Sequence, residues 1–212
     1  MYTTCVDGSP CSFDITSFFP GMHEQTTIYC VVAAVQSFAV FDLGTSYETM
    51  GTGSVIKAQD AIFAALHGNK SGVDDIYALP WINAQFSSHG YTFYYYAVKP
   101  TSTSTFMSFV REDLWGFLEA NYVRVSLANG GYGKFTSGGL HATEATGYDD
   151  NAGTVTSYDP WSKRSSSSNA ACTSTAYGSG TWGCYWVMPQ AKYYQAMDKE
   201  ATGNGIQAPL WY

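Results

Sequence analysis

The sequence predicts an α+β fold. Apolar residues recur at helical spacing up to about residue 120, alternation with period two takes over from about 121 to 190, and no linker or internal repeat separates the two parts. At 212 residues the chain has the length of one domain with a substantial core, so 1–212 reads as one domain.

Each element has its own signal. Residues 30–42 form an apolar segment that stops before Gly44, and being apolar nearly all round it predicts a buried central helix. Ser54 is a natural N-cap for a helix over 55–67, where Val55, Ile56, Ala58, Ile62, Phe63 and Leu66 recur and Gly68-Asn69 breaks the pattern. A third helix is expected over 77–88 with Pro80 in its first turn. A fourth, over 104–120, carries Phe106, Phe109, Val110, Leu114, Phe117 and Leu118. Tyr91–Val98 reads as a strand by composition, as do Tyr122–Leu127 and Tyr185–Met188. Leu140–Tyr148 and Thr154–Asp159 read as a hairpin around the turn residues Asp149 to Gly153, and the Ser-rich stretch 162–170 reads as a solvated loop.

Composition narrows the function. Charged residues are 13% of the chain and aromatic ones 17%, with 21 glycines, so the surface is polar through hydroxyls and amides, as in exported proteins. A net charge of −7 argues against nucleic acid and anionic membranes as partners, since both need basic patches. No run approaches the ~20 apolar residues of a membrane span. The first residues lack the basic segment and apolar stretch of a signal peptide, so export implies a signal already removed.

Five cysteines leave one over after pairing. Cys5 and Cys11 flank the turn Asp7-Gly8-Ser9-Pro10, and Cys172 and Cys184 flank a Ser/Gly-rich loop. Sequence does not choose among the three pairings of four cysteines, but local closure of these two loops leaves Cys30 as the odd thiol. An unpaired thiol in such a chain is either buried and inert or there to react. No Cys/His set has zinc spacing, and Asp74-Asp75 lacks a calcium-loop pattern, so neither metal nor other cofactor is expected.

A hairpin turn centred near Asp150 would set His141 directly opposite Asp159, on one face, where an imidazole and a carboxylate can hydrogen-bond. A slip of one residue would part them.

Four short islands carry a family resemblance. Gln25 and Cys30, then Gly139-Leu140-His141-Ala142, then Thr146-Gly147-Tyr148-Asp149-Asp150, then Ser157-Tyr158-Asp159-Pro160-Trp161 resemble papain-fold cysteine peptidases, in particular the bacteriocin-leader-peptidase-like branch related to double-glycine peptidases. The resemblance implies a helical lobe, about 25–120, whose central helix starts at the nucleophile, and a lobe of antiparallel sheet, about 121–190. It implies Cys30 as nucleophile, His141 as general base, Asp159 as the residue that orients the ring, and Gln25 as an oxyanion donor beside the Cys30 backbone N–H. His23, Gly139, Leu140 and Trp161 would then line the substrate cleft. A helix N-terminus and an imidazolium both stabilise a thiolate, so the chemistry is coherent.

Each residue also has a plainer reading. Cys30 could be a core thiol, His141 a structural histidine, Asp159 a turn residue before Pro160, and Gln25 a surface side chain. Glu144, Asp149 and Asp150 are expected to face solvent, with a place beneath the sheet as the alternative for Glu144. His67 suits a last helical turn, His89 a turn before Gly90, and Tyr94-Tyr95-Tyr96 either a stacking surface or core. The order and setting of Cys30, His141 and Asp159 favour a secreted, monomeric cysteine peptidase acting on peptide or protein substrates. The alternatives are an amidase, deamidase or transpeptidase using the same thiol, or an extracellular binding protein with a vestigial site.

Overall fold

In the computed structural model, helix α1 spans Cys30–Leu43 and forms the centre of the molecule, with ten consecutive residues, Val31–Val40, buried. It ends at Gly44, whose φ of 101° suits glycine and few other residues. The structure describes residues 5, 8–26, 28–73, 75–90, 94–118, 120–126, 140–160, 174–176, 185–197 and 206–210.

Three helices follow: the short α2 (Ser46–Thr49), α3 (Val55–Ala65) and α4 (Asp75–Ser88). All three pack on α1. Ser54 caps α3 by accepting from the Lys57 N–H. This helix ends at Ala65, so His67 lies beyond it, at a φ of 56°, rather than in its last turn. Helix α4 begins two residues earlier than its pattern suggests, which moves Pro80 past the first turn, where it removes a ladder donor.

The fourth predicted helix is two structures. Helix α5 covers Thr103–Arg111 and passes into a π-helical turn, Glu112–Phe117, closed by Leu118 at a φ of 61°. Apolar spacing through Leu114 does not distinguish an i→i+4 ladder from an i→i+5 one, so the sequence extended the helix too far. At this junction Arg111 makes a bidentate ion pair with Asp150, at 2.8 Å on each arm. Asp150 is therefore not a solvent-facing residue. Burial pushes its carboxyl up, but the hydrogen bonds of Arg111 and Gln190 and the Arg111 charge more than offset that and hold it below 3.8.

The sheet contains β1 (Ser12–Asp14), β2 (Tyr94–Val98), β3 (Asn121–Ser126), β4 (Leu140–Asp149), β5 (Thr154–Tyr158), β6 (Ser174–Ala176), β7 (Tyr185–Pro189) and β8 (Ile206–Leu210), with helix α6 (Gln190–Ala196) after β7. Its order is β2-β8-β3-β4-β5-β7-β6, with β1 added beside β4. Pairing is antiparallel except at one edge, where β6 runs parallel to β7. An all-antiparallel sheet confined to about 121–190 therefore needs correction: β1, β2 and β8 come from outside that span. The Tyr91–Phe93 part of the predicted strand lies outside the described residues.

Strand β4 is buried from His141 to Tyr148, so both its faces are covered. The core around it includes the fully buried Tyr158, Trp186, Tyr193, Phe86 and Phe106. The hairpin exists as expected, but its register does not match the expectation. Asp149 faces Thr154 and Glu144 faces Tyr158, with a bulge between Ala145 and Gly147, so Asp159 lies just beyond the last pair instead of opposite His141.

Candidate active site

Cys30 occupies the first position of α1 and is half-buried. Cys5 and Cys11 are joined in a disulfide, and Cys30 is the free cysteine among the described residues. The residue before the helix, Tyr29, makes no side-chain cap bond. The amide-rich, positive end of α1 is thus presented where the thiol sits.

His141 and Asp159 come together despite the shifted register. Asp159 Oδ1 lies 2.7 Å from His141 Nε2, with the histidine 5% exposed and the aspartate fully buried. The bulge lets Asp159 reach diagonally along the same face, a distance that side chains of this length bridge. With Nε2 engaged, Nδ1 is the ring nitrogen left for the thiol. Burial pushes the ring's pKa down. The charge and hydrogen bond of Asp159, then the hydrogen bond and charge of Cys30, push it up by more, leaving it well above 6.5. Three elements, the start of α1, the start of β4 and the end of β5, therefore bring Cys30, His141 and Asp159 into one connected group.

Gln25 lies on the loop before α1, partly buried, and its side-chain Nε2 donates to the His23 carbonyl at 3.2 Å. His23 is buried, with its Nδ1 3.4 Å from the Tyr158 hydroxyl. Burial pushes its pKa down, against a smaller upward pull from Asp159. Leu140, next to His141 at the start of β4, is 49% exposed. Gly139, Trp161, Cys172 and Cys184 lie outside the described residues. Among the described residues no cluster of His, Cys, Asp or Glu could hold a metal ion, and no helix is long and apolar enough to cross a membrane.

Glu144 is the residue whose importance sequence reasoning missed. It is fully buried, and among the described residues neither carboxyl oxygen has a hydrogen-bond partner. Ser37 is close, but its hydroxyl donates to the Ala33 carbonyl and accepts from the Met22 N–H, so its proton is already committed. Burial first, then the Asp159 charge, raises the Glu144 pKa well above 4.5, and His141 offsets only part of this. A carboxylate on a strand is expected to face solvent, and sequence does not reveal that β4 is covered on both sides.

A pH signature follows. Above pH 4.5 the unfolded chain releases the Glu144 proton while the native chain keeps it, so the native state loses stability as pH rises towards the raised pKa. The slope is up to ~1.4 kcal/mol per pH unit. Glu144→Gln keeps the shape and removes the proton, so its stability advantage over the parent should widen from pH 5 to pH 8 in urea titrations. Parallel curves for the two proteins would count against this account.

No protein family matches the chain by sequence, and no curated protein does. Among solved structures it is similar to the crystal structure of xylellain, a cysteine protease from Xylella fastidiosa, at 14% identity and a TM-score of 0.46, covering 98% of this chain and 90% of that one.

Proposed function

We propose that the protein is a cysteine peptidase of papain-like fold, working through Cys30, His141 and Asp159. The observation that carries this reading is the hydrogen-bonded link from Asp159 to His141, whose ring is in turn acted on by the one free thiol among the described residues. A merely structural histidine has no need of a thiol at a helix N-terminus on its other side.

The chemistry runs as follows. The Cys30 thiolate attacks the scissile carbonyl carbon, forming a C–S bond and placing the electron pair on oxygen. The Cys30 backbone N–H and the Gln25 side-chain amide hold that oxyanion, each such donor being worth about 3 kcal/mol in the transition state. The tetrahedral species collapses, the C–N bond breaks, and His141 gives its proton to the leaving amine. Water, deprotonated by His141, then cleaves the thioester and restores the thiol site. Asp159 holds the ring and stabilises its charged form. Leu140, together with His23, Gly139 and Trp161, is assigned to the substrate cleft. The Cys5–Cys11 disulfide supports a secreted protein, since such bonds persist in oxidising compartments.

The test combines labelling with product analysis. Iodoacetamide at pH 6 should modify Cys30 stoichiometrically, and a peptide library should yield new termini. Ammonia release without chain cleavage would reassign the same site to a deamidase. Absence of both labelling and turnover would leave a binding protein.

A further inference from the structure

Two fully buried glutamines face each other between α1 and α3, Gln36 on the first helix and Gln59 on the second. A buried amide is costly unless all its hydrogen bonds are made, so where these go is informative. Gln59 makes three: its Oε1 accepts from the Gln25 backbone N–H at 2.8 Å, and its Nε2 donates to the His23 carbonyl at 2.7 Å and to Gln36 Oε1 at 2.9 Å. Gln36 completes the relay by donating to the carbonyls of Tyr47 and Glu48, at 3.1 and 3.0 Å.

The loop before α1 has no regular ladder of its own, so its backbone depends on such partners. Met22 N–H donates to Ser37, Glu24 N–H to the carbonyl of Pro160 beside Asp159, and Gln25 N–H to Gln59. Gln59 is the anchor at Gln25 itself. It also grips the carbonyl of His23, to which the Gln25 side chain bonds, and so holds both the backbone and the side-chain support of that residue.

We propose that Gln59 is a positioning residue for acyl transfer, holding the Gln25 loop in the geometry needed for an oxyanion donor. This rests on the reading of Gln25 given under Proposed function. Catalysis tolerates little misplacement of such a donor, because its stabilisation depends on preorganisation.

Two reactions of one thiol separate this role from a general loss of structure. Alkylation by iodoacetamide is a displacement of iodide by sulfur and creates no oxyanion, whereas peptide hydrolysis passes through one. Gln59→Met keeps the volume and removes the three bonds; Gln59→Asn keeps the amide but draws it back by one methylene, and serves if the first variant does not fold. Either should lower kcat by about 10²-fold with KM little changed, while the alkylation rate of Cys30 stays within about twofold of the parent. The kcat loss should vanish when Gln25 is already alanine, since the effect acts through Gln25. Unchanged kcat, or equal losses in kcat and alkylation, overturns the proposal while leaving the peptidase reading intact. A parent protein that alkylates but hydrolyses nothing overturns both.

Discussion

Cys30→Ala is expected to reduce peptide hydrolysis to background while leaving the chain folded. Removing a nucleophile that acts as one unit with its base costs about 10⁶-fold where such sites have been dissected. The fold should survive because Cys30 is half-buried at a helix end, with space to solvent. The loss of one sulfur there costs on the order of 1 kcal/mol. Circular dichroism and thermal unfolding should therefore match the parent closely. Undiminished hydrolysis by this variant would falsify the nucleophile assignment.

Asp159 should show the next largest effect, and two substitutions divide it. Asp159→Ala leaves His141 Nε2 without its 2.7 Å partner and the ring free to turn, so kcat/KM should fall about 10²- to 10⁴-fold, the usual worth of a positioned acid–base group. Asp159→Asn keeps an oxygen to accept from the ring but removes the negative charge. Burial pushes the His141 pKa down, and the Asp159 charge is the largest influence raising it, so without that charge the pKa must drop. The protonated ring is the acid that the leaving amine needs. Activity of the parent should therefore persist through neutral pH and fall only as pH passes the raised His141 value. In Asp159→Asn that alkaline fall should move to lower pH. Stability follows the same sign: the pair stabilises the native state fully below pH 6.5 and ceases to do so as pH rises through the raised value. An alkaline limb unmoved in Asp159→Asn would detach the carboxylate from the ring's chemistry.

Much of this was legible in the sequence where local chemistry decides structure. The apolar run behind Cys30 and the glycine at 44 marked α1, and Ser54 marked the start of α3. The turn residues from Asp149 to Gly153 marked the hairpin, and its two strands carry His141 and Asp159 to their meeting. The register was not legible, because the bulge between Ala145 and Gly147 leaves no composition signal, and the contact survived through side-chain reach. Long-range partners were also hidden. Nothing near Asp150 announces Arg111, and nothing near Gln25 announces Gln59 on another helix. Strand β8 contains Pro209, a residue that argues against a paired strand, so it is recognised through its pairing with β2 and β3. Glu144 was expected to face solvent because a carboxylate seldom lies in a core, and a strand's own sequence does not report what covers its faces.

The central claim is that Cys30 and His141 act as one chemical unit. The most direct measurement is the rate of iodoacetamide alkylation of Cys30 at pH 6 in the parent and in His141→Ala, with the labelled residue identified by mass spectrometry. Coupling predicts a rate about tenfold or more higher in the parent, because an adjacent imidazole serves as the base that activates the sulfur for attack. Equal rates in the two proteins would contradict it.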